Sequence, residues 1–203
     1  RAAREYLVDS LMKRDNNQLF LSGYSQGGHA TMAVHKYITV NNLQDEFKVI
    51  ASAPLSAPLD LSTSQLESIF NEDLTYETSE YFPYAAASYQ LVYGNLYNNL
   101  NEYYYSPYDT TIGEYLSNGT YSNAQWNSAI PDDLSVFMQD SLIGNIQNNY
   151  NHPFKQAVRK NDLHDWVAFE PIRLLYCGMD IAVTPLNSIT AVDTMTALGS
   201  TDV

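Results

Sequence analysis

A serine placed between two glycines constrains this chain more than any other feature. Gly23-Tyr24-Ser25-Gln26-Gly27 follows an apolar run, Leu19 to Leu21, and precedes a helix-like segment that extends from Ala30 to Val40. In that context the pattern predicts a sharp strand-to-helix turn, whose strained backbone lifts the serine hydroxyl above the end of a sheet. Glycine on each side leaves room for the chain to fold back, because glycine has no Cβ. The alternative is a glycine-rich turn that contains a serine by chance, and the strand before and helix after favour the catalytic interpretation.

Such a turn has the parts that acyl transfer needs. Ser25 is the candidate nucleophile, and Gly23 and Gly27 are the candidate elbow glycines. The helix that follows points its N-terminus at the serine, so its free amides can stabilise an oxyanion. The first of these amides is that of Gln26, which we expect to be an oxyanion donor.

The first part of the chain alternates helix and strand, as parallel α/β sheets do. The pattern predicts a helix over residues 2–14, a strand over 18–23, a helix over 26–40 and a strand over 47–54. The strands are almost continuously apolar, which is typical of a sheet covered on both faces. We therefore expect Ser25 at the carboxyl end of a central strand.

From about residue 61 to residue 165 the composition changes. The chain has 17 tyrosines, concentrated here together with asparagine and few cations. Helical patterns are predicted at residues 81–100, 111–116, 123–128, 134–142 and 154–160. The tyrosines either pack these small helices or form an aromatic platform for carbohydrate or aryl-ester substrates.

A second catalytic signal lies near the end of the chain. An apolar run, Ile172 to Cys177, predicts a buried strand that ends in Gly178-Met179-Asp180, with a helix from about Pro185 to Leu198. In a hydrolase, a carboxylate at this position orients a histidine and stabilises the imidazolium that forms when the serine gives up its proton. The alternative is an aspartate that caps the next turn. Together with the elbow upstream, the pattern favours Asp180 as the catalytic acid.

Several runs of this chain, in this order, resemble the secretory lipase and exported esterase branch of the α/β-hydrolase superfamily. They are Gly23 to Thr31, Asn161 to Trp166 and Leu174 to Val183, separated by a long helical insertion. The resemblance implies an α/β-hydrolase core, a mostly parallel sheet flanked by helices, with an inserted mainly helical cap. Residues 1–60 and 166–203 would form the core, with the elbow and the acid loop respectively, and residues 61–165 the cap or lid. The resemblance also assigns Ser25 as nucleophile, Asp180 as acid and the Gln26 amide as oxyanion donor, and it implies export from the cytoplasm.

The catalytic base is the part of this pattern that the sequence lacks. In the superfamily the chain order is serine, acid, histidine, so the histidine should follow Asp180. No histidine follows His164, and the second oxyanion donor would precede Arg1. We expect the chain to be a hydrolase truncated at both ends. His152 or His164 is a less favoured base, and His29 and His35 lie at packing positions of the helix after the elbow.

The composition and motifs of the chain argue against several classes of partner and cofactor. The chain has 23 acidic and 10 basic residues, a formal net charge of −13. Nucleic acids and anionic membranes repel such a charge. The sequence has no apolar stretch of the roughly 18 residues that a membrane span needs, no spacing typical of metal ligands and no nucleotide-binding motif. We therefore expect no cofactor and no metal.

The sequence has two smaller features. The lone cysteine, Cys177, lies in an apolar run and is expected to be buried. Asn118-Gly119-Thr120 fits a glycosylation sequon, but tripeptides of this kind arise by chance and carry no functional weight by themselves.

The sequence thus predicts a serine hydrolase that cleaves carboxylic esters, small-molecule or lipid, through an acyl-enzyme on Ser25. A peptidase of the prolyl-oligopeptidase type shares the elbow and stays open as an alternative. A non-catalytic binding protein with the hydrolase core is the alternative from another class, and it would be favoured if no histidine followed the chain.

Overall fold

The structure is a computed structural model that describes residues 2–12 and 15–203. Part of the helix predicted over residues 2–14 lies outside these residues. Within them, helix α1 (Ala2–Glu5) continues directly into a π-helical turn, Tyr6–Ser10. The first segment is therefore helical from Ala2 to Ser10, but it is not one regular α-helix, and Leu11 and Met12 lie outside it.

The predicted strand-helix-strand unit is confirmed. Strand β1 (Gln18–Tyr24), helix α2 (Gln26–Val40) and strand β2 (Lys48–Leu55) follow one another along the chain. β1 and β2 pair in parallel, from Gln18 opposite Lys48 to Tyr24 opposite Leu55, with a register shift between Leu19 and Phe20. Since both strands end together, Ser25, the one residue between β1 and α2, lies at the carboxyl edge of the sheet.

The strand predicted over Ile172 to Cys177 is largely wrong. This segment pairs with β2 only through two isolated parallel bridges, Ser52 with Ile172 and Leu55 with Leu175. Ile172 is buried, whereas Leu175, Tyr176 and Cys177 are exposed. An apolar run does not by itself specify burial on both faces, because burial depends on what packs there.

β1 also departs from the predicted two-sided burial. Its residues alternate between half-buried and exposed, and the side chains of Phe20 and Tyr24 are mostly exposed among the residues described. Alternation of this kind is typical of a strand with one covered face.

The chain divides into two compact units. The first contains the residues up to Leu59 together with Leu163–Cys177 and Asn187–Val203, and the second contains Asp60–Asp162 and Gly178–Leu186. The loop with Asp180 thus falls in the second unit, whereas the sequence grouped it with residues 166–203. Its place there has a local cause, since the side chains of Gln65 and Tyr76 both donate hydrogen bonds to the Ala182 carbonyl, at 2.9 and 3.0 Å.

In the first unit, α2 packs on the sheet and on the closing helix, α10 (Leu186–Leu198). Met32 of α2 and Ile172 are fully buried, as are Ala191 and Met195. The Leu59 backbone N–H donates to Asn187 Oδ1 at 3.0 Å. Helix α10 (Leu186–Leu198), predicted from residue 185 to 198, is therefore joined to the segment after β2 by packing and by a buried hydrogen bond.

The second unit is helical, as the sequence predicts. The remaining α-helices are α3 (Leu66–Ile69), α4 (Tyr81–Tyr93), α5 (Tyr108–Ser117), α6 (Asn123–Ala129), α7 (Leu134–Phe137), α8 (Asp140–Asn148) and α9 (Pro153–Arg159). A π-helical turn, Leu61–Gln65, and a 3₁₀ turn, Leu100–Glu102, complete the described helical segments. No described helix is long and apolar enough to cross a membrane.

Two predicted helices differ from the observed ones: one ends early and the other is divided. The helix predicted over residues 81–100 ends at Tyr93, because Gly94 adopts the left-handed conformation (φ 70°) and caps it. The helix predicted over 134–142 is divided into α7 and α8, with extended backbone at Met138 and Gln139 between them. Between the two helices the backbone forms hydrogen bonds with residues 103–105. The Tyr105 N–H donates to the Phe137 carbonyl, and the Gln139 N–H donates to the Tyr103 carbonyl.

Aromatic side chains fill the interior of this unit. Trp126, Tyr104, Phe137 and Phe154 are among its largest fully buried side chains. The rings of Tyr115 and Tyr121 stack with centroids 3.9 Å apart. Many tyrosines of the insertion therefore pack its helices, which is the first of the two roles that the sequence left open.

A buried polar chain joins three segments of the first unit. His35 of α2 is 0% exposed, its Nδ1 lies 2.9 Å from Ser52 Oγ of β2, and its Nε2 lies 3.2 Å from Glu170 Oε2. The indole of Trp166 packs edge-on against the imidazole, with centroids 5.2 Å apart. Burial lowers the pKa of His35, and the hydrogen bond and charge of Glu170 oppose that shift. Both ring nitrogens are engaged, so the histidine is a structural connection between helix and sheet.

We expect Ser52→Ala to lower the free energy of unfolding by about 1–3 kcal/mol, because it leaves His35 Nδ1 buried without its partner. Ser22→Ala is the matched control, since Ser22 lies on the adjacent strand and its hydroxyl bonds the Ala53 carbonyl at an exposed position. The Ser22→Ala substitution should lower the free energy of unfolding by less than about 0.5 kcal/mol. Equal losses in chemical denaturation would contradict a structural role for the buried chain.

Candidate active site

The backbone at Ser25 is strained. Ser25 has φ 54° and ψ −121°, a conformation that residues with a side chain rarely adopt. Such a residue costs about 1–3 kcal/mol and persists only where its surroundings hold it. Here its N–H donates to the Leu55 carbonyl of β2 at 2.8 Å, and its carbonyl accepts the first helical hydrogen bond, from His29 N–H at 3.0 Å. The sharp strand-to-helix turn that the sequence predicts is thus present between β1 and α2.

Close packing explains the glycine before the turn. A Cβ on Gly23 would collide with the Gly27 carbonyl and lie 2.8 Å from Thr31 Oγ1. Thr31 in turn donates its hydroxyl to that carbonyl at 2.9 Å. The Gly27 backbone and the hydrogen-bonded Thr31 side chain cannot move aside without a loss of stability. Because Gly23 has no Cβ, α2 can pack directly on the end of β1.

The second tight glycine is Gly28, which the sequence analysis did not single out. A Cβ there would lie 2.8 Å from Ala57 Cβ and 2.9 Å from the Leu55 carbonyl. A Cβ on Gly27 would meet nothing within 4 Å. Neighbouring atoms therefore approach closely at Gly23 and Gly28, where a Cβ would not fit. The role of Gly27 as an elbow glycine stays a prediction.

The environment of Ser25 suits a developing negative charge. Gln26 is the first residue of α2, so its N–H has no acceptor within the helix and points outward at the helix N-terminus. Partial positive charge collects at this end of a helix. Ser25 is half-buried and Gln26 is exposed. The part of Gln26 as oxyanion donor stays a prediction.

Asp180 is fixed by its own loop. Its Oδ1 accepts hydrogen bonds from the backbone N–H groups of Ala182, at 3.1 Å, and Val183, at 2.9 Å. This is the capping role that the sequence left open as the alternative. Within the described part of the chain, Oδ2 has no hydrogen-bond partner, so the same carboxylate retains an oxygen that can accept from a histidine N–H.

The structure does not bring Ser25 and Asp180 together in one unit. Ser25 and Gln26 are neighbours in the first unit, and Asp180 belongs to the second. The pairing of the serine with this aspartate, and the two units as core and cap, stay predictions.

The four histidines differ in their contacts. His29 Nδ1 lies 2.7 Å from the Pro58 carbonyl, and His164 Nδ1 lies 3.4 Å from that of Leu59. Burial lowers the pKa of His152. In the described residues the Ser25 hydroxyl makes no hydrogen bond to any of them, so the catalytic base is not assigned among them.

Sequence reasoning also missed the Ser52–His35–Glu170 chain. A signal for it exists, because Ser52 is a polar residue inside the apolar run of β2 and His35 lies on the buried side of α2. Neither observation identifies the partner, since Glu170 is 135 residues from His35.

The chain is similar in structure to several solved hydrolases. A rice cell wall degrading esterase, LipA from Xanthomonas oryzae, has a similar structure, with a TM-score of 0.90 and 29% sequence identity over 99% of this chain. A Legionella pneumophila protein described as a hydrolase matches 97% of the chain, with a TM-score of 0.84 and 21% identity. Candida antarctica lipase A in its closed state matches 97%, with a TM-score of 0.69 and 14% identity.

The chain has a lipase/esterase-like hydrolase fold. It spans about half of these structures, 53% of LipA, 51% of the Legionella protein and 45% of the Candida lipase. No protein-family model matches the chain. No curated protein matches it either.

The two glycines of the pentapeptide give a matched test of the elbow. Gly23→Ala should lower the free energy of unfolding by about 1–3 kcal/mol, because its Cβ cannot fit against the Gly27 carbonyl. Gly27→Ala should leave stability unchanged or raise it by up to about 1 kcal/mol, because alanine favours the helix and has open space there. Chemical denaturation measures both. A larger loss for Gly27→Ala than for Gly23→Ala would mean that the turn is not packed as described.

Proposed function

We propose that this protein is a serine hydrolase that cleaves carboxylic esters. The observation that carries the proposal is the strained Ser25, held at the carboxyl end of a parallel strand with a helix N-terminus directly after it. The similarity to an esterase at 29% identity supports the same reaction class. Fold alone would not, since one fold hosts many chemistries.

The proposed reaction proceeds in two halves. Ser25 Oγ attacks the acyl carbon while a histidine removes its proton, and the Gln26 amide stabilises the oxyanion. Collapse of the intermediate breaks the ester C–O bond, and the histidine returns the proton to the leaving alcohol. Water then attacks the acyl-enzyme, which releases the carboxylic acid and regenerates Ser25. Asp180 holds the histidine through Oδ2, while its Oδ1 is anchored by the amides of Ala182 and Val183.

Uncharged substrates fit this chain. A net charge of −13 disfavours the approach of anions, so a neutral ester, small or lipid, is the proposed substrate. LipA is described as degrading rice cell walls, an extracellular target. Export of the present protein is part of the proposal on that ground.

A fluorophosphonate probe tests the nucleophile. The full-length protein should be labelled at Ser25 and should hydrolyse p-nitrophenyl esters, and Ser25→Ala should abolish labelling and lower kcat by several powers of ten. Asp180→Asn should lower kcat strongly while leaving the protein folded. Peptide mapping locates the label.

Ser22→Ala is the control for this experiment, because Ser22 lies three residues away and its hydroxyl bonds a backbone carbonyl of β2. Its activity should match that of the unchanged protein. Labelling at another serine would contradict the proposal. Turnover of prolyl peptides but not of esters would support the peptidase alternative. If the protein is folded and turns over neither substrate, the result would support the binding-protein alternative.

Helix α4 is the place to test a substrate-covering role for residues 61–165. Its Phe82 and Ala86 are buried in the core of the second unit, whereas Leu91 and Val92 are 88% and 71% exposed. The helix has no charged residue. If these exposed side chains contact acyl chains, each methylene that they bury contributes about 0.8 kcal/mol.

We expect Leu91→Ala combined with Val92→Ala to shift the preference among esters toward shorter acyl chains, with fluorophosphonate labelling of Ser25 retained. Ser88→Ala, an exposed change on the same helix, should leave the profile unchanged. kcat/KM across a series of acyl lengths provides the measurement. An unaltered profile in the double variant would favour a partner-binding insertion over a lid.

A further inference from the structure

Asn118 and Gly119 lie in the short connection between α5 and α6. Asn118 follows the last residue of α5 as its C-cap, and α6 begins after Ser122. We propose that Asn118 deamidates spontaneously, through attack of the Gly119 backbone nitrogen on the Asn118 side chain, so that this connection is a self-modifying site.

The nucleophile is accessible and unhindered. Ser117 through Thr120 are all exposed. Within the described residues the Gly119 N–H has no hydrogen-bond partner, whereas the N–H groups on either side of it do: Asn118 donates to Glu114 at 3.1 Å and Thr120 to Asn118 at 2.8 Å. A Cβ at Gly119 would meet nothing within 4 Å. The backbone there can rotate toward the side chain more freely than at any residue with a Cβ.

The electrophile is polarised by its neighbour. Thr120 Oγ1 donates to Asn118 Oδ1 at 2.8 Å, and Thr120 N–H approaches the same oxygen at 3.4 Å. A hydrogen bond to the carboxamide oxygen withdraws electrons from Cγ and stabilises negative charge on that oxygen during attack. It also holds the side chain over the backbone that follows it.

The reaction balances without a co-reactant other than water. A bond forms between Gly119 N and Asn118 Cγ, and the Cγ–Nδ2 bond breaks. Nδ2 leaves as ammonia and takes the proton of the Gly119 amide, which gives a five-membered succinimide. Water opens either carbonyl of the ring, so the products are aspartate and isoaspartate, each with one new negative charge at neutral pH.

The new charge falls at an unfavourable position. The C-terminal end of a helix carries partial negative charge, so a carboxylate at the C-cap of α5 is destabilising. The chain already has a net charge of −13, which adds to the repulsion. Isoaspartate also lengthens the backbone by one carbon. Deamidation should therefore loosen the end of α5 as the protein ages.

The same tripeptide fits a glycosylation sequon, and the two modifications exclude each other, because a glycan would occupy Asn118 Nδ2. What favours deamidation is that its nucleophile, its electrophile and the polarising hydroxyl all lie within three consecutive residues of this chain. N-glycosylation needs a transferase and a lipid-linked donor in addition.

The test is incubation of the full-length protein at mildly alkaline pH, with peptide mapping by mass spectrometry over days. We expect the peptide with Asn118 to gain the mass difference between O and NH and to separate into aspartate and isoaspartate forms. Gly119→Ala should slow the reaction about fivefold or more, because alanine restricts the backbone and hinders attack. That substitution has space in the structure, so an unchanged unfolding temperature serves as its folding control.

Two further controls test whether the flexible backbone and the Thr120 hydroxyl determine the rate of deamidation. Asn127 precedes a serine within α6, where the helix fixes its backbone, and its peptide should stay unmodified over the same period. Thr120→Ser should keep the rate and Thr120→Val should lower it. Equal rates in the unchanged protein and Gly119→Ala, no modification at Asn118, or a glycan on Asn118 of the protein from its natural source would overturn the proposal.

Discussion

The hydrogen bond from Ser25 N–H to the Leu55 carbonyl, 2.8 Å long, is the interaction on which the candidate site depends. It holds a residue at φ 54° that would otherwise relax, and it does so from the last residue of β2. The same carbonyl lies 2.9 Å from the position of a Cβ on Gly28. One backbone oxygen thus fixes the serine and also limits the residue type at the start of α2.

The position of that oxygen depends in turn on β2. β1 pairs with one side of β2, and the segment at Ile172 and Leu175 bridges to it through Ser52 and Leu55. Ser52, 2% exposed, also bonds His35, which connects α2 and Glu170 to the same strand. Buried polar groups favour one arrangement when all are satisfied, because each alternative leaves one unpaired. The inference is that a change at Ser52 or His35 would act on the site through the backbone of β2.

Local signals were sufficient where local energetics decide the structure. The strand-turn-helix around Ser25 and the helix ending at Leu198 were predicted nearly to the residue, because apolar periodicity and glycine placement are local properties. The helix predicted over residues 134–142 was divided because Phe137 and Gln139 bond a segment more than 30 residues away. The glycine assignments show the same limit. The pentapeptide identifies Gly23, but it does not identify Gly28, where a Cβ would also collide, with Ala57 and Leu55 of another segment.

The sequence by itself determined the order of the elements, the identity of the candidate nucleophile and a helical, aromatic insertion after the first strands. These follow from residue type and spacing, which the chain carries whatever its fold. Only the tertiary structure decided the strain at Ser25, the buried partner of His35, the exposure of Cys177 and the two backbone amides that anchor Asp180. Each of these depends on which atoms meet in space, and the distance between two residues along a chain does not specify the distance between them in the fold.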